Sequence, residues 1–563
     1  MPENLLKTNT FDAIVVGSGI SGGWAAKELT EKGLKVLLLD RGRNIEHVKD
    51  YETALKHPWE FRYKGKISLI HKAEHPYSTR DYPFGEENES FWLNETDAPY
   101  TEAKPFDWYR SGVVGGKSLM WGRQSYRLSP LDFEANAKDG VGVDWPIRYN
   151  DLAPWYDYVE QFAGISGSKE GIEELPDGKF LPPMSMNCAE QKVKQGLESK
   201  FSNRKLIIGR VANLTIAHNG RGQCQYRAQC HRGCPFGAYF STLSSTLPAA
   251  VNTGNLTLRP HSLVYEVVYD ATHSRAKGVK IIDTRTMETT EYFAKIIFLN
   301  GSTLGTTNLL LNSTSTTFPN GLGNSSGQLG HNLMDHHFRL GARGRVEGLD
   351  DKYYYGRRAN GIYIPRYANV KNDKKTYLRG YGYQGGASRE DWRRGVKELG
   401  IGADFKEMIS QPGQWTMGLT GFGECLPYYE NKVSINKNLK DKWGLPTLTI
   451  DCEFKENEKN MRKDILADAV EMLEAAGLKD VKPYDLNFNP GSAIHEMGTA
   501  RMGRDPKTSV LNAFNQMHDV KNVFITDGSC MTSSACQNPS LTYMALTARA
   551  CDYAVNELNK RNI

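Results

Sequence analysis

The sequence predicts an α/β protein built on a Rossmann-like nucleotide-binding domain, and three observations carry that expectation. Glycines at 17, 19 and 22 follow a short apolar run, Ala13–Val16. A second strand–glycine–helix pattern, KIIFLNGSTLGTTNLLLNS, occupies Lys295–Ser313. A third strand-like run, NVFITDGS at 522–529, again ends in glycine ahead of a helical pattern.

In order along the chain, Ala13–Val16 reads as a buried parallel strand, Trp24–Glu31 as a helix stopped by Gly33, and Lys35–Leu39 as a second strand ending in Asp40. In such a unit Gly17 makes the turn, Gly19 admits backbone to a pyrophosphate, and Gly22 allows close helix–strand contact. The phosphates would sit on the helix N-terminus, and Asp40 would accept the ribose hydroxyls. The motif alone does not separate NAD from FAD. The glycine-rich loop RSGVVGGKSLMWG (Arg110–Gly122), the 295–313 unit and the 525–529 strand end favour FAD, because several remote backbone segments converging on one nucleotide suit a larger, permanently held cofactor.

Size and composition set the bounds. At 563 residues the chain has length for roughly three or four domain-sized units, and its net charge of +5 is spread without a basic stripe, so nucleic acid is not an expected partner. No apolar run approaches the ~18 residues of a membrane span. MPENLLKTNTFD has neither an apolar core region nor a twin-arginine pair, so no export signal is expected on the chain itself.

Nine cysteines are too few for a disulfide scaffold. Cys224, Cys230 and Cys234 nevertheless bunch as C-x5-C-x3-C-P, a pattern suited to iron–sulfur ligation. Zinc suits it less, since only His231 offers a local fourth ligand. A plain or disulfide-bonded loop stays open. There is no CxxCH, so no c-type haem is expected here. Cys530 and Cys536 read as structural.

The segment from His495 to Asn538 holds an imidazole, a glycine-rich turn, a strand ending in Asp527–Gly528 and an amide side chain. Hydride removal from a carbinol needs a base for the hydroxyl proton and a second polar group on that oxygen, and His495 and Asn538 supply those types. Pro539 then suits the first position of a helix whose N-terminus would favour negative charge on a cofactor ring. His331, His336 and His337 read as structural or as support for a flavin, and His518 as a surface loop residue. Insertions at about 50–105, 160–205 and 340–480 lack nucleotide-fold patterning. Their aromatics (WEFRYKG, DKYYYGRRANGIYIPRY, GQWTMGLTGFGEC) could stack on sugar rings, with Glu424 and Gln414 as weak substrate contacts.

Six motifs in order, GSGISGG (17–23), VVGGKSLMWG (113–122), DWPIRYNDLAPWYDYVE (144–160), NSSGQLGHNLMDH (324–336), HEMGTARMG (495–503) and DGS…NPSLTYMALTARA (527–550), give the chain a resemblance to the glucose–methanol–choline (GMC) oxidoreductase family over nearly its whole length. The resemblance is strongest to the bacterial sugar dehydrogenases, above all glucoside 3-dehydrogenases. It implies an FAD-binding domain assembled from discontinuous segments (1–160, 206–338 and 485–563) and an α+β substrate-binding domain with an antiparallel sheet (161–205 and 339–484). It places catalytic positions at His495 and Asn538. FAD contacts fall at Gly17, Gly19, Gly22, Asp40, Gly115, Gly116, Lys117, Ser118, Val264, Asp527 and Gly528. Some relatives tether flavin through a histidine where this chain has Met120, so a non-covalent FAD is expected.

The resemblance further implies a [3Fe–4S] cluster on Cys224, Cys230 and Cys234. It also implies a small Tat-signal-bearing subunit, a cytochrome c acceptor and periplasmic residence by co-export, with the cytoplasm as the alternative. The expected activity is oxidation of a secondary hydroxyl of a sugar or glycoside, at C3 of glucosides, to a ketone. Two alternatives stand beside it: an oxygen-using sugar oxidase of the pyranose oxidase type, and a non-catalytic electron-transfer flavoprotein.

Overall fold

The structure, a computed structural model, describes residues 9–563 apart from 64, 81, 355, 372–373 and 391–399. Most of the N-terminal stretch, residues 1–8, and Tyr355 of the aromatic run therefore lie outside the described residues.

One seven-stranded sheet organises the nucleotide-binding half. Strand β1 (Thr10–Val16) pairs in parallel with β2 (Val36–Leu39) on one side and with Thr289–Leu299 on the other. Leu256–Arg259 extends the sheet beyond β2, and Val523–Ile525 pairs in parallel with Thr289–Leu299. The strands Ser262–Asp270 and Arg275–Asp283 complete it as an antiparallel meander. Both faces are covered, which is why these strands read as unbroken apolar runs: Ala13, Ile14 and Val15 are wholly buried.

Helix α1 spans Ile20–Glu31, beginning four residues before the expected Trp24. Glycine propensity argues against a helix through Gly22 and Gly23. Tertiary packing overrides it, since a Cβ on Gly22 would stand 1.7 Å from the Gly17 carbonyl oxygen and one on Gly23 2.4 Å from a Thr242 methyl. The C-terminal helix, Ser540–Asn559, packs against α1 and against the helix Tyr149–Ala163. Pro539 is its N-cap rather than its first helical residue, a shift of one position.

A second, six-stranded sheet is antiparallel throughout, in the order 479–485, 337–346, 415–423, 381–389, 362–364, 207–208. The helices Glu456–Ala475 and Cys188–Lys200 cover one face, burying Met461, Ile465 and Met472 against Leu340, Leu419 and Tyr383. The other face turns toward the nucleotide-binding half. The α/β class and the antiparallel sheet are therefore both present. No helix of the described residues is long and apolar enough to cross a membrane.

Candidate active site

Between the two sheets lies a cavity of about 950 Å³, near the upper end of the ~300–1,000 Å³ range of small-molecule and cofactor sites. Its floor is the β1–α1 turn. Gly17 has φ +90°, where an L side chain is strained, and its Cβ would stand 2.3 Å from the Asn300 carbonyl oxygen. Gly19 caps α1, and a Cβ there would meet nothing within 4 Å, leaving open space in front of the helix N-terminus. Asp40 also lines the cavity, with its carboxylate accepting from Ser18 N at 2.9 Å, Ser18 Oγ at 2.5 Å and Gly42 N at 2.7 Å.

Gly116, Lys117, Ser118, Val264, Asp527 and Gly528 line the same cavity, as do His495 and Asn538. Gly22 and Gly115 stand behind its wall. Gly115 adopts φ +92° and donates its N–H to Ser18 Oγ at 2.8 Å, tying the 113–122 loop to the first turn. Thr306 Oγ1 donates to Asp527 at 2.6 Å, and burial pushes that carboxyl above its ordinary range. Polar atoms of Asn300 (Nδ2), Glu496 (Oε1) and Tyr543 (hydroxyl) are buried without a protein partner, and all three residues line the cavity. Open space at a helix N-terminus together with orphaned polar groups fits a bound dinucleotide.

At the far end, His495 Nδ1 is 2.8 Å from His336 Nδ1, and His336 Nε2 is 2.8 Å from the Ala535 carbonyl oxygen. A carbonyl can only accept, so His336 carries its proton on Nε2 and donates it there. Burial holds the His336 pKa down to about 4, which keeps the ring neutral and leaves Nδ1 a bare acceptor. His495 must then donate through Nδ1–H, which places its lone pair on Nε2. Asn538 Nδ2 stands 3.3 Å from that Nε2, and Gln384 Nε2 donates to Asn538 Oδ1 at 2.5 Å. Donation runs one way along the whole chain, Gln384 to Asn538 to His495 to His336 to Ala535.

Burial lowers the His495 pKa well below its ordinary 6.5, with His336 and Lys117 adding to the effect. Asp335 fixes the loop that carries His495, accepting from Gly491 N at 2.7 Å, Ala493 N at 3.2 Å and His495 N at 3.0 Å. Burial and nearby Glu496 outweigh these donors and push its carboxyl up to about 7.

Several expectations shift. His336 lies behind His495 as its acceptor, a role the sequence did not separate from support for a flavin. His331 stacks on Tyr429 and His337 is core, as expected of structural histidines. His518 is half-buried against Ser509 rather than on the surface. Glu424 is no substrate contact: it is buried in an ion pair with Arg379 at 3.1 Å. Gln414 is exposed, away from the cavity. Of the quoted aromatics among the described residues, only Phe422 lines the cavity. Trp415, Tyr363 and Tyr367 are buried in or beside the second sheet, and Trp59 and Tyr353 face solvent. Gln384 and Arg339 escaped sequence reading because no local motif marks them, and Asp335, though inside the 324–336 motif, was given no role of its own.

Cys224, Cys230 and Cys234 are free thiols, the first buried and the others half-buried. Burial raises the Cys224 thiol, and the other two add to it, so the three sulfurs share one locale. Their loop abuts the cavity, for His231 lies 3.3 Å from the Met120 carbonyl and both residues line it. Among the described residues the group whose ligand atoms lie close enough together to share one ion is not this triplet but Glu74, His75 and Glu89. There His75 Nε2 faces Glu89 at 3.6 Å and its Nδ1 is buried without a hydrogen-bond partner.

A nucleotide cavity that ends under a histidine–amide pair defines a cofactor-dependent oxidoreductase of alcohols. The chain belongs to the GMC oxidoreductase family, whose N-terminal profile matches residues 11–338 and whose C-terminal profile matches residues 427–547. It is an FAD-dependent enzyme acting on sugar or alcohol hydroxyls. It is 28% identical to the 2-methyl-1,2-propanediol dehydrogenase of Mycolicibacterium austroafricanum over 96% of this chain and 94% of that one. To the fructose dehydrogenase large subunit of Gluconobacter japonicus it is 26% identical over 98% and 99%. Its fold matches pyridoxine 4-oxidase from Mesorbium loti with a TM-score of 0.59 at 17% identity, over 97% and 99% of the two chains.

Proposed function

We infer that the chain oxidises a secondary hydroxyl of a sugar or glycoside to a ketone, the C3 position of a glucoside being the one expected. The observation that carries this reading is the one-way hydrogen-bond chain that leaves the lone pair of His495 on Nε2, facing the cavity. His495 Nε2 takes the hydroxyl proton. The Asn538 amide, oriented by Gln384, donates to the same oxygen and steadies its developing charge. FAD, when bound, supplies the hydride acceptor, held by Gly17, Gly19, Asp40, the 116–118 loop, Val264, Asp527 and Gly528. Met120 offers no nucleophile, which supports a non-covalent cofactor.

Cys224, Cys230 and Cys234 are suited to hold a [3Fe–4S] cluster, whose chemistry is one-electron transfer away from a flavin. This favours a dehydrogenase that delivers electrons to a partner over an oxidase. The similarity to the large subunit of a fructose dehydrogenase supports both a sugar substrate and assembly with a small subunit. A Tat-bearing subunit and a cytochrome c acceptor would bring the chain to the periplasm, and residence in the cytoplasm is the alternative.

The test is anaerobic flavin bleaching over a panel of sugars and glucosides, with NMR of the product. General-base catalysis is worth ~10²–10⁴-fold, so His495→Ala should slow bleaching by that order. An unchanged rate sinks the assignment. Iron and sulfide analysis of anaerobically prepared protein tests the cluster.

A further inference from the structure

We propose that Arg339 reads a carboxylate on the substrate, so that the preferred substrates are sugar acids such as uronides or aldonates. The inference rests on the reading of the cavity as a site of sugar oxidation and narrows its substrate class.

Arg339 lines the cavity at the start of the strand His337–Val346 and adopts φ +64°, a backbone conformation that L side chains rarely take. Among the described residues its guanidinium meets no carboxylate and no hydrogen-bond acceptor, and its Nε is buried without a partner. Aromatic rings surround it instead: Tyr82 at 5.0 Å, Phe488 at 5.3 Å and Phe338 at 5.8 Å from the guanidinium carbon. Such faces steady a cation and hold its plane without using any of its N–H donors.

The cavity's other cations are differently placed. Lys117 pairs with Glu496 at 3.2 Å, and Arg110 and Arg123 donate to the carbonyls of Ala98 and Trp121. Arg41 sits beside Asp40 and Asp441. Arg110 and Arg123 also keep buried nitrogens without a partner, but each already donates to a carbonyl, whereas the Arg339 guanidinium donates to none among the described residues.

Its place relative to the chemistry fits a sugar-length ligand. Phe338 neighbours Phe422 at 5.0 Å between ring centroids, and Phe422 neighbours His495 at 6.3 Å. A molecule lying along this apolar wall can put a hydroxyl at His495 and an anionic end at Arg339. One planar guanidinium matches a carboxylate by paired N–H donation, whereas a phosphate commonly gathers more than one cation.

The experiment compares matched pairs on the FAD-loaded enzyme: methyl glucuronide against methyl glucoside, gluconate against sorbitol, and glucose 6-phosphate against glucose. Wild type, Arg339→Gln and Arg339→Lys are measured by anaerobic bleaching and by the shift a dead-end sugar acid produces in flavin absorbance. A charge-assisted hydrogen bond of the expected strength gives a roughly ten- to hundredfold preference for the carboxylated member, expressed in KM. Arg339→Gln should abolish that preference with kcat held and neutral sugars little changed. Arg339→Lys should keep part of it. Equal loss for acidic and neutral sugars, no wild-type preference, or a preference for the phosphate overturns the inference while sugar oxidation stands. If no sugar bleaches the flavin, the inference and the functional reading fall together.

Discussion

Replacing His336 tests the proposed site without touching the base itself. In His336→Ala the Nδ1–H of His495, which points away from the cavity toward the buried His336, loses its acceptor at 2.8 Å. An unsatisfied buried donor costs about 1–3 kcal/mol, which favours any state that turns this N–H elsewhere, including the tautomer that protonates Nε2 and removes the base. Since ~1.4 kcal/mol is tenfold in rate, flavin reduction should slow by roughly 5- to 150-fold, generally less than the loss expected for His495→Ala. The assay is single-turnover bleaching by stopped flow under anaerobic conditions, at saturating sugar and matched FAD content. His336→Gln retains a carbonyl acceptor and should recover part of the rate. An unaffected rate in His336→Ala would refute the tautomer argument. Equal losses in the Ala and Gln variants would show that packing, not hydrogen-bond direction, is what His336 supplies.

Four further outcomes follow. The His495 pKa lies well below 6.5, and a base works only when unprotonated, so the reduction rate should stay level as pH falls through 6.5 and decline only in more acidic buffer; a limb centred near 6.5 contradicts this. Asp335 is raised from 3.8 to about 7. The folded chain thus holds a proton there that the unfolded chain releases, and the stabilisation is complete below about pH 4 and lost as pH rises through 7. Asp335→Asn should flatten that part of the Tm-against-pH curve, and an unchanged slope counts against it. Gly22→Ala sets a methyl 1.7 Å from the Gly17 carbonyl oxygen and should cost about 1–3 kcal/mol or more, seen as a lower Tm and reduced FAD content. Acid precipitation should leave the yellow chromophore in the supernatant; a yellow pellet would mean a covalent link.

How much was legible depended on whether a feature is local. The β1–α1–β2 unit could be read because its glycines, apolar runs and Asp40 lie within thirty residues of one another and each residue type has a steric reason. His495 and Asn538 could be picked out for the same cause, both sitting in short motifs of distinctive chemistry. The start of α1 was misplaced because propensity penalises Gly22 and Gly23, whereas the fold uses their missing side chains for close packing. Glu424 looked available to a substrate because one sequence cannot reveal that Arg379, 45 residues away, neutralises it in the interior. The aromatics read as possible sugar platforms fall instead mostly in or beside the second sheet or on the surface, because composition does not say which face of a strand a ring takes.

The sequence by itself determined the class of fold and the nucleotide turn and singled out His495 and Asn538 as the proposed reacting pair, because these rest on backbone sterics and on side-chain chemistry that any context preserves. Only the tertiary structure decided which nitrogen of His495 bears the lone pair and that the Arg339 guanidinium sits among aromatic rings at the cavity wall. Both depend on groups far apart in the chain: His336 and His495 are separated by 159 positions, and Gln384 and Asn538 by 154. Hydrogen-bond direction is set by the last acceptor in such a chain, here the Ala535 carbonyl, and that acceptor has no signature in the sequence.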